Sequence, residues 1–232
     1  MNVTWFGHSA FRVDYAGAVV MIDPFIRNPT FKGDPQAAWK GATHVVLTHG
    51  HADHIGSTVE ICRETGALLV ANPEVCDFLQ AKGVEDATPI NHGGELHFDG
   101  FSIAYVAALH SSSDDAADGT GCYLGNPGGV VLMAPGEKAL LHMGDTGIFS
   151  DMALIDEIYQ PKIGIVPIGD RFTMGARLAA IACKRFYHFE TAIPCHYGTF
   201  GLIDADADRF IAEMEGAATK VLVAERGVAV EL

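Results

Sequence analysis

Six residues constrain this chain more than any others: His49-Gly50-His51-Ala52-Asp53-His54 follow directly on the apolar run 45–48. Packing has no use for three imidazoles and a carboxylate at one strand-to-helix turn. Neutral imidazole offers a lone pair near pH 7, which makes histidine the commonest side-chain metal ligand. Alternate positions let His49 and His51 converge on one ion, while Asp53 and His54 begin the following helix and reach toward a second. One turn cannot close such a site. Structural zinc takes four ligands, often with cysteine, whereas a catalytic metal keeps a position for water. The fold therefore has to carry further nitrogen and oxygen ligands to this turn from distant segments.

The order of elements shows how it can do so. Short β-forming runs at 3–6, 11–15 and 18–22 lead into a Pro- and Gly-bearing stretch, 23–43, read as a long loop. Then come strand 45–48, helix 55–64 ending near Gly66, strand 68–71 and helix 73–81. Strands fall within 87–107, a polar loop spans 110–121, and runs 130–134 and 139–143 flank the Pro135-Gly136 turn as a hairpin. Helices 151–159, 175–186 and 205–214 alternate with strands 163–168 and 191–195, and short strands 221–224 and 228–230 close the chain. A β-rich block followed by βα alternation occurs twice. Two such halves predict an α/β fold with two mixed sheets face to face and helices outside, a four-layer αββα sandwich in one domain, 1–232.

Three further candidates sit just past strands, where loops of α/β scaffolds converge: His110, Asp145 in Met143-Gly144-Asp145-Thr146-Gly147, and His196. His8, past the first strand, reads as a ligand-orienting group, a substrate contact or a turn cap, and His142 as an orienting or a core histidine. Segments 23–43, 111–120 and 170–175 would edge a pocket whose candidate cations are Arg27, Lys32 and Arg171. Arg171, Thr173 and His8 are the candidate substrate contacts. Phe25, Phe31, Phe172 and Phe200 either wall this pocket or plug the edge of the core.

Composition narrows the partners. With 15 basic and 29 acidic residues the formal charge is −14, which disfavours phosphate backbones and anionic lipid surfaces. No run is apolar for the roughly 20 residues of a membrane helix, and no secretory leader precedes the first strand. Five cysteines without a CxxC pair read as small core residues in a reducing cytoplasm, with Cys195, beside His196, weighed as a reactive thiol.

The pattern HxHxDH, a later His, a GDT and a final His resembles the metallo-β-lactamase superfamily, from Val3 to Leu232. Trp5-Phe6-Gly7-His8-Ser9, Ala108-Leu109-His110-Ser111-Ser112-Ser113, Pro167-Ile168-Gly169-Asp170 with Phe172-Thr173-Met174-Gly175, and His196-Tyr197-Gly198-Thr199-Phe200 are similar to a family of metal-dependent hydrolases related to L-ascorbate-6-phosphate lactonases. Ala176 and Gly201 depart from that pattern, where proline is common. The resemblance implies two adjacent divalent ions: His49, His51 and His110 on the first, Asp53, His54 and His196 on the second, Asp145 bridging. Such a pair, about 3.5–4 Å apart, holds a bridging hydroxide for attack on an ester, lactone or phosphodiester of a small molecule. Zinc or manganese is expected, and iron or nickel fits the same donors. Asp53 and His8 are the candidate catalytic residues beside the ions, and a homo-oligomer is plausible by the same resemblance. The competing expectations are a metal-dependent nuclease, a diiron redox protein and a metal-binding protein without turnover.

Overall fold

Alternating burial builds the first sheet. In β2 (Phe11–Tyr15) Phe11, Val13 and Tyr15 point into the core, while Arg12 and Asp14 pair outside it at 2.8 Å. The same period of two runs through β3 (Ala18–Ile22), β4 (His44–Val46) and β5 (Leu68–Ala71). Val20, Ile22, Val46 and Val70 face one core, and Met21, Val45, Leu69 and Ala71 another. Residues with no polar face belong in a sheet covered on both sides. The computed structural model describes residues 1–114 and 120–232.

Two seven-stranded sheets result. The first adds β1 (Asn2–Trp5), β6 (Ala87–Pro89) and β14 (Ala229–Glu231), in the order β14-β1-β2-β3-β4-β5-β6. The second consists of β7 (Glu95–His97), β8 (Ser102–Ala107), β9 (Gly128–Met133), β10 (Leu140–His142), β11 (Ile163–Pro167), β12 (Thr191–Cys195) and β13 (Lys220–Val221). Its order runs from β13 down to β7, parallel from β10 to β13. One apolar core, with Trp5, Tyr105 and Ile165 in it, joins the sheets. Helices α1 (Pro35–Trp39), α3 (Thr58–Thr65) and α4 (Pro73–Ala81) cover the first sheet through Trp39, Ile61 and Leu79. Helices α5 (Met152–Tyr159), α6 (Ala176–Phe186) and α7 (Asp208–Glu213) cover the second through Met152, Ala179 and Phe210. This is the expected four-layer αββα arrangement.

Three local expectations are corrected. The 23–43 stretch contains α1, whose N-terminus is capped by Asp34 and opened by Pro35. The expected helix 55–64 is two helices, α2 (Ala52–Ile55) and α3, broken at Gly56. There φ is +45° and ψ −119°, and a Cβ would lie 2.5 Å from the backbone of Phe25. Only glycine tolerates both conditions. Gly56→Ala is therefore expected to lower stability by at least about 2 kcal/mol in urea titration; an unchanged midpoint would show that the Pro24–Phe25 backbone yields. The third expected helix, 205–214, is confined to α7.

Cys122 is exposed rather than in the core. Cys195 is fully buried, which pushes its thiol well above the ordinary range and leaves it unreactive. Among the described residues, no helix is long and apolar enough to cross a membrane.

Candidate metal centre

Five strands end at one edge of the sandwich, and the chemistry-bearing residues lie just beyond them. His8 follows β1, His49 follows β4, His110 follows β8, Asp145 follows β10 and His196 follows β12. His51, Asp53 and His54 belong to the N-terminal turn of α2. The structure thus gathers every ligand expected from the sequence. His49, His51 and His110 place one nitrogen each within 4.8 Å of the others, and His8, Asp53, His54 and His196 form an adjacent group of the same tightness. Between them stands Asp145. Its Oδ2 is 2.9 Å from His196 Nε2, 3.3 Å from His54 Nε2 and 3.6 Å from His110 Nε2.

The turns that aim these groups are tight. His8, Asp23 and His196 adopt φ of +52°, +43° and +59°. Non-glycine residues rarely do so without compensation from their surroundings. Two hydrogen bonds to one oxygen provide it at His8: its carbonyl accepts from Trp5 Nε1 at 2.9 Å and from His196 N at 3.0 Å. A core tryptophan thereby holds two site loops together. Gly144, at φ +63°, presses against Gly128 O, where a Cβ would come within 2.5 Å. His142 fixes this turn. It accepts from Gly144 N at 3.0 Å on Nδ1 and donates from Nε2 to Ser9 O at 3.1 Å, so it orients the Asp145 loop as a neutral, buried imidazole.

Asp23 is the residue that the sequence reading missed. Fully buried after β3, it accepts from Thr48 N at 2.8 Å, Thr48 Oγ1 at 2.6 Å and His54 Nδ1 at 2.7 Å. The Thr48 hydroxyl proton is committed to Asp23, so His49 Nδ1 donates to Thr48 Oγ1 at 2.9 Å. One carboxylate therefore leaves Nε2 of both His49 and His54 facing the cluster. The signal was available: like Asp145, Asp23 is an acid directly after an apolar strand. Ser112 was missed as well. It accepts from Gly50 N at 3.0 Å and donates to Leu124 O at 2.7 Å, tying the 110–114 segment to the histidine-rich turn. Asp115, expected in the same polar loop, lies outside the described residues.

Electrostatics favour cation ligation. Burial opposes charge on Asp145, but His196 and His54 outweigh it and hold its carboxyl well below the usual range. Burial likewise works against Asp53, yet the hydrogen bond from His8 and the nearby His54 keep it ionised. Burial lowers His49 and His110, so their lone pairs are available near neutral pH. His54 is the exception: burial pushes it down, but Asp145 and Asp23 on either side raise it well above its ordinary value. An entering cation must displace that proton. Among the described residues, the buried Asp145 Oδ1 has no hydrogen-bond partner, and His54 Nε2 has only its 3.3 Å approach to Asp145 Oδ2. Leaving such an atom unpaired costs about 1–3 kcal/mol, which a coordinated ion removes. Nitrogen and carboxylate donors without thiolate suit zinc, manganese, iron or nickel. The residues fit the group.

The expected substrate contacts are placed differently. His8 is buried behind Asp53, with Nε2 donating to Asp53 Oδ2 at 3.0 Å and Nδ1 3.1 Å from Thr199 Oγ1. Both ring nitrogens are engaged, so it positions Asp53 instead of facing the cleft. Arg171 and Thr173 do not line the cleft; Phe172 between them does. A turn around Asp170 and Arg171, at φ +60° and +45°, exposes Arg171, and the Thr173 hydroxyl donates to Met174 O at 3.2 Å. Phe200 also lines the cleft and stacks on Phe25 at 6.4 Å, whereas Phe31 packs on Phe6 at 5.1 Å.

Two facing sheets with a histidine and aspartate cluster at their strand ends define the metallo-β-lactamase class, and residues 2–196 match the beta-lactamase superfamily domain. The chain is 55% identical over 235 residues to a UPF0173 metal-dependent hydrolase of Chelativorans sp. (strain BNC1), covering 100% of both. It is 52% identical over 238 residues to another from Azorhizobium caulinodans, again over 100% of both. The chain belongs to this UPF0173 metal-dependent hydrolase family. Among solved structures, Igni18, a metallo hydrolase from the hyperthermophilic archaeon Ignicoccus hospitalis, has a TM-score of 0.88 and 38% identity, over 100% of this chain and 98% of that one. An isothiocyanate hydrolase from Delia radicum gut bacteria shares the fold, with a TM-score of 0.79 and 19% identity over 100% and 99% of the two chains.

Proposed function

We propose that this hydrolase cleaves an ester, lactone or phosphodiester bond of a small molecule at two adjacent divalent ions, zinc or manganese. The observation that carries this reading is the single oxygen Asp145 Oδ2, set against Nε2 of His54, His110 and His196 from three separate segments. His49, His51 and His110 would hold one ion, Asp53, His54 and His196 the other, and Asp145 both. Bound there, such ions lower the pKa of water to about 7 and stabilise charge on the oxygen of the bond being cleaved.

The chain's own groups then orient and hold protons. Asp23 and Thr48 fix the ring orientations of His54 and His49. His8 occupies Asp53 Oδ2 with a donated hydrogen bond, which leaves the other oxygen of this cleft-lining, one-third exposed carboxylate to ligate or to take up a proton. Five free cysteines support a reducing, cytoplasmic setting.

Metal content by mass spectrometry tests the proposal. After reconstitution, about two ions per chain are expected, falling to about one in His110→Ala, which loses a ligand to the first ion alone. Less than one ion in the unaltered chain would sink the dinuclear reading.

A further inference from the structure

The cleft over the cluster has a volume of about 380 Å³, at the small end of ligand sites. Its polar lining consists of the cluster's own residues and Ser111, and the rest is Phe172, Phe200 and Leu202. These three remain 51%, 40% and 58% exposed. Large apolar side chains held open around a polar centre mark a surface that meets an apolar group.

Charge points the same way. Among the described residues, no lysine or arginine lines this cleft. Arg27, Lys32 and Arg171 are not among the lining residues, although Arg171 lies against the wall residue Phe172. Arg27 is paired with Glu60 at 2.6 Å, Lys32 lines a separate groove beside Arg226, and Arg171 lies over the ring of Phe172, 5.6 Å from its centroid.

We propose that the substrate is a neutral carboxylic ester or lactone whose apolar chain packs on Phe172, Phe200 and Leu202. This rests on the hydrolase reading above and narrows it, removing phosphodiesters and nucleic acids. Hydrolysis breaks the acyl C–O bond; the hydroxyl of water goes to the acyl carbon and its proton to the departing alcohol.

Titration calorimetry of the zinc-loaded full chain with n-alkyl hydroxamates, from acetohydroxamate to octanohydroxamate, tests the wall without turnover. All members share one metal-binding head and differ in the tail alone. Affinity is expected to rise about threefold per added methylene. Hydroxamates of matched length ending in a carboxylate should bind more weakly than their alkyl counterparts. In Phe172→Ser and Leu202→Ser, both at exposed positions, the ratio of octano- to acetohydroxamate affinity should fall. Affinity independent of tail length, or raised by the terminal carboxylate, would overturn the proposal. Hydrolysis of a hexanoyl ester is read on the same sample. Turnover with a flat series loses the apolar wall and keeps the hydrolase, while a rising series without turnover keeps the wall and fails the hydrolase.

Discussion

Asp145→Ala is expected to leave less than one ion bound per chain and to cut hydrolysis at least about a thousandfold. The reason lies in placement. Among the described residues, Asp145 puts one oxygen within 3.6 Å of His110 of one group and of His54 and His196 of the other, whereas Asp53 is engaged with His8 at 3.0 Å and the oxygens of Asp23 are taken by Thr48 and His54. Removing Asp145 therefore strips charge from both ion positions at once, whereas His110→Ala removes a ligand from one. Asp145→Asn separates charge from shape. It keeps the side chain's size and one oxygen, so if charge governs, its metal content should fall nearly as far as that of the alanine variant. Retention of about two ions by Asp145→Asn would show that a neutral oxygen suffices and would remove the bridging role.

Asp23→Ala should produce the second largest effect, and of a different kind. It touches no cleft surface, yet three buried donors depend on it: Thr48 N, Thr48 Oγ1 and His54 Nδ1. Breaking a fully buried charged pair costs about 3–5 kcal/mol, so the metal-free chain should be measurably weakened in urea. Loss of the orienting partner should also weaken metal binding by about 10- to 100-fold in competition with a chelator. Asp23→Asn discriminates between the two consequences. Its oxygen can still accept from Thr48, but its amide cannot accept from His54 Nδ1. It should recover much of the stability and little of the affinity. Full recovery of both would show that His54 needs no anionic partner.

These two aspartates also show what a sequence can and cannot disclose. Asp145 was legible because it stands between glycines after an apolar run and alongside a histidine-rich turn that demanded partners. Asp23 likewise follows an apolar strand, but it lacks the flanking glycines, and its role exists through contacts 25 and 31 residues away, where nothing in the local pattern points. The same holds for Thr199, whose partner His8 is 191 positions distant. Strands β2, β3, β5 and β12 agree with their expected bounds, since Gly, Pro or polar residues punctuate short apolar runs. Helix α1 escaped notice because five residues give no periodicity, and the Asp34-Pro35 start was its one sign. The break between α2 and α3 has a tertiary cause, the backbone of Pro24 and Phe25 lying against Gly56. Arg171 was favoured for its charge, and a left-handed turn turned its neighbour Phe172 to the cleft instead.

The candidate ligands are divided between the two sheets: His49, His51, Asp53 and His54 hang from the first, and His110, Asp145 and His196 from the second. On the dinuclear reading, neither half would hold a pair of ions alone. During synthesis, which runs from the N-terminus, the histidine-rich turn is made early but lacks its opposing donors until His196 has emerged. The first sheet waits longer still, because β14 must return to pair with β1 through Val230 and Val3. With these ligands, ion capture would come at the end of assembly, and a nascent or truncated chain would present an open imidazole cluster without the carboxylate and the last histidine.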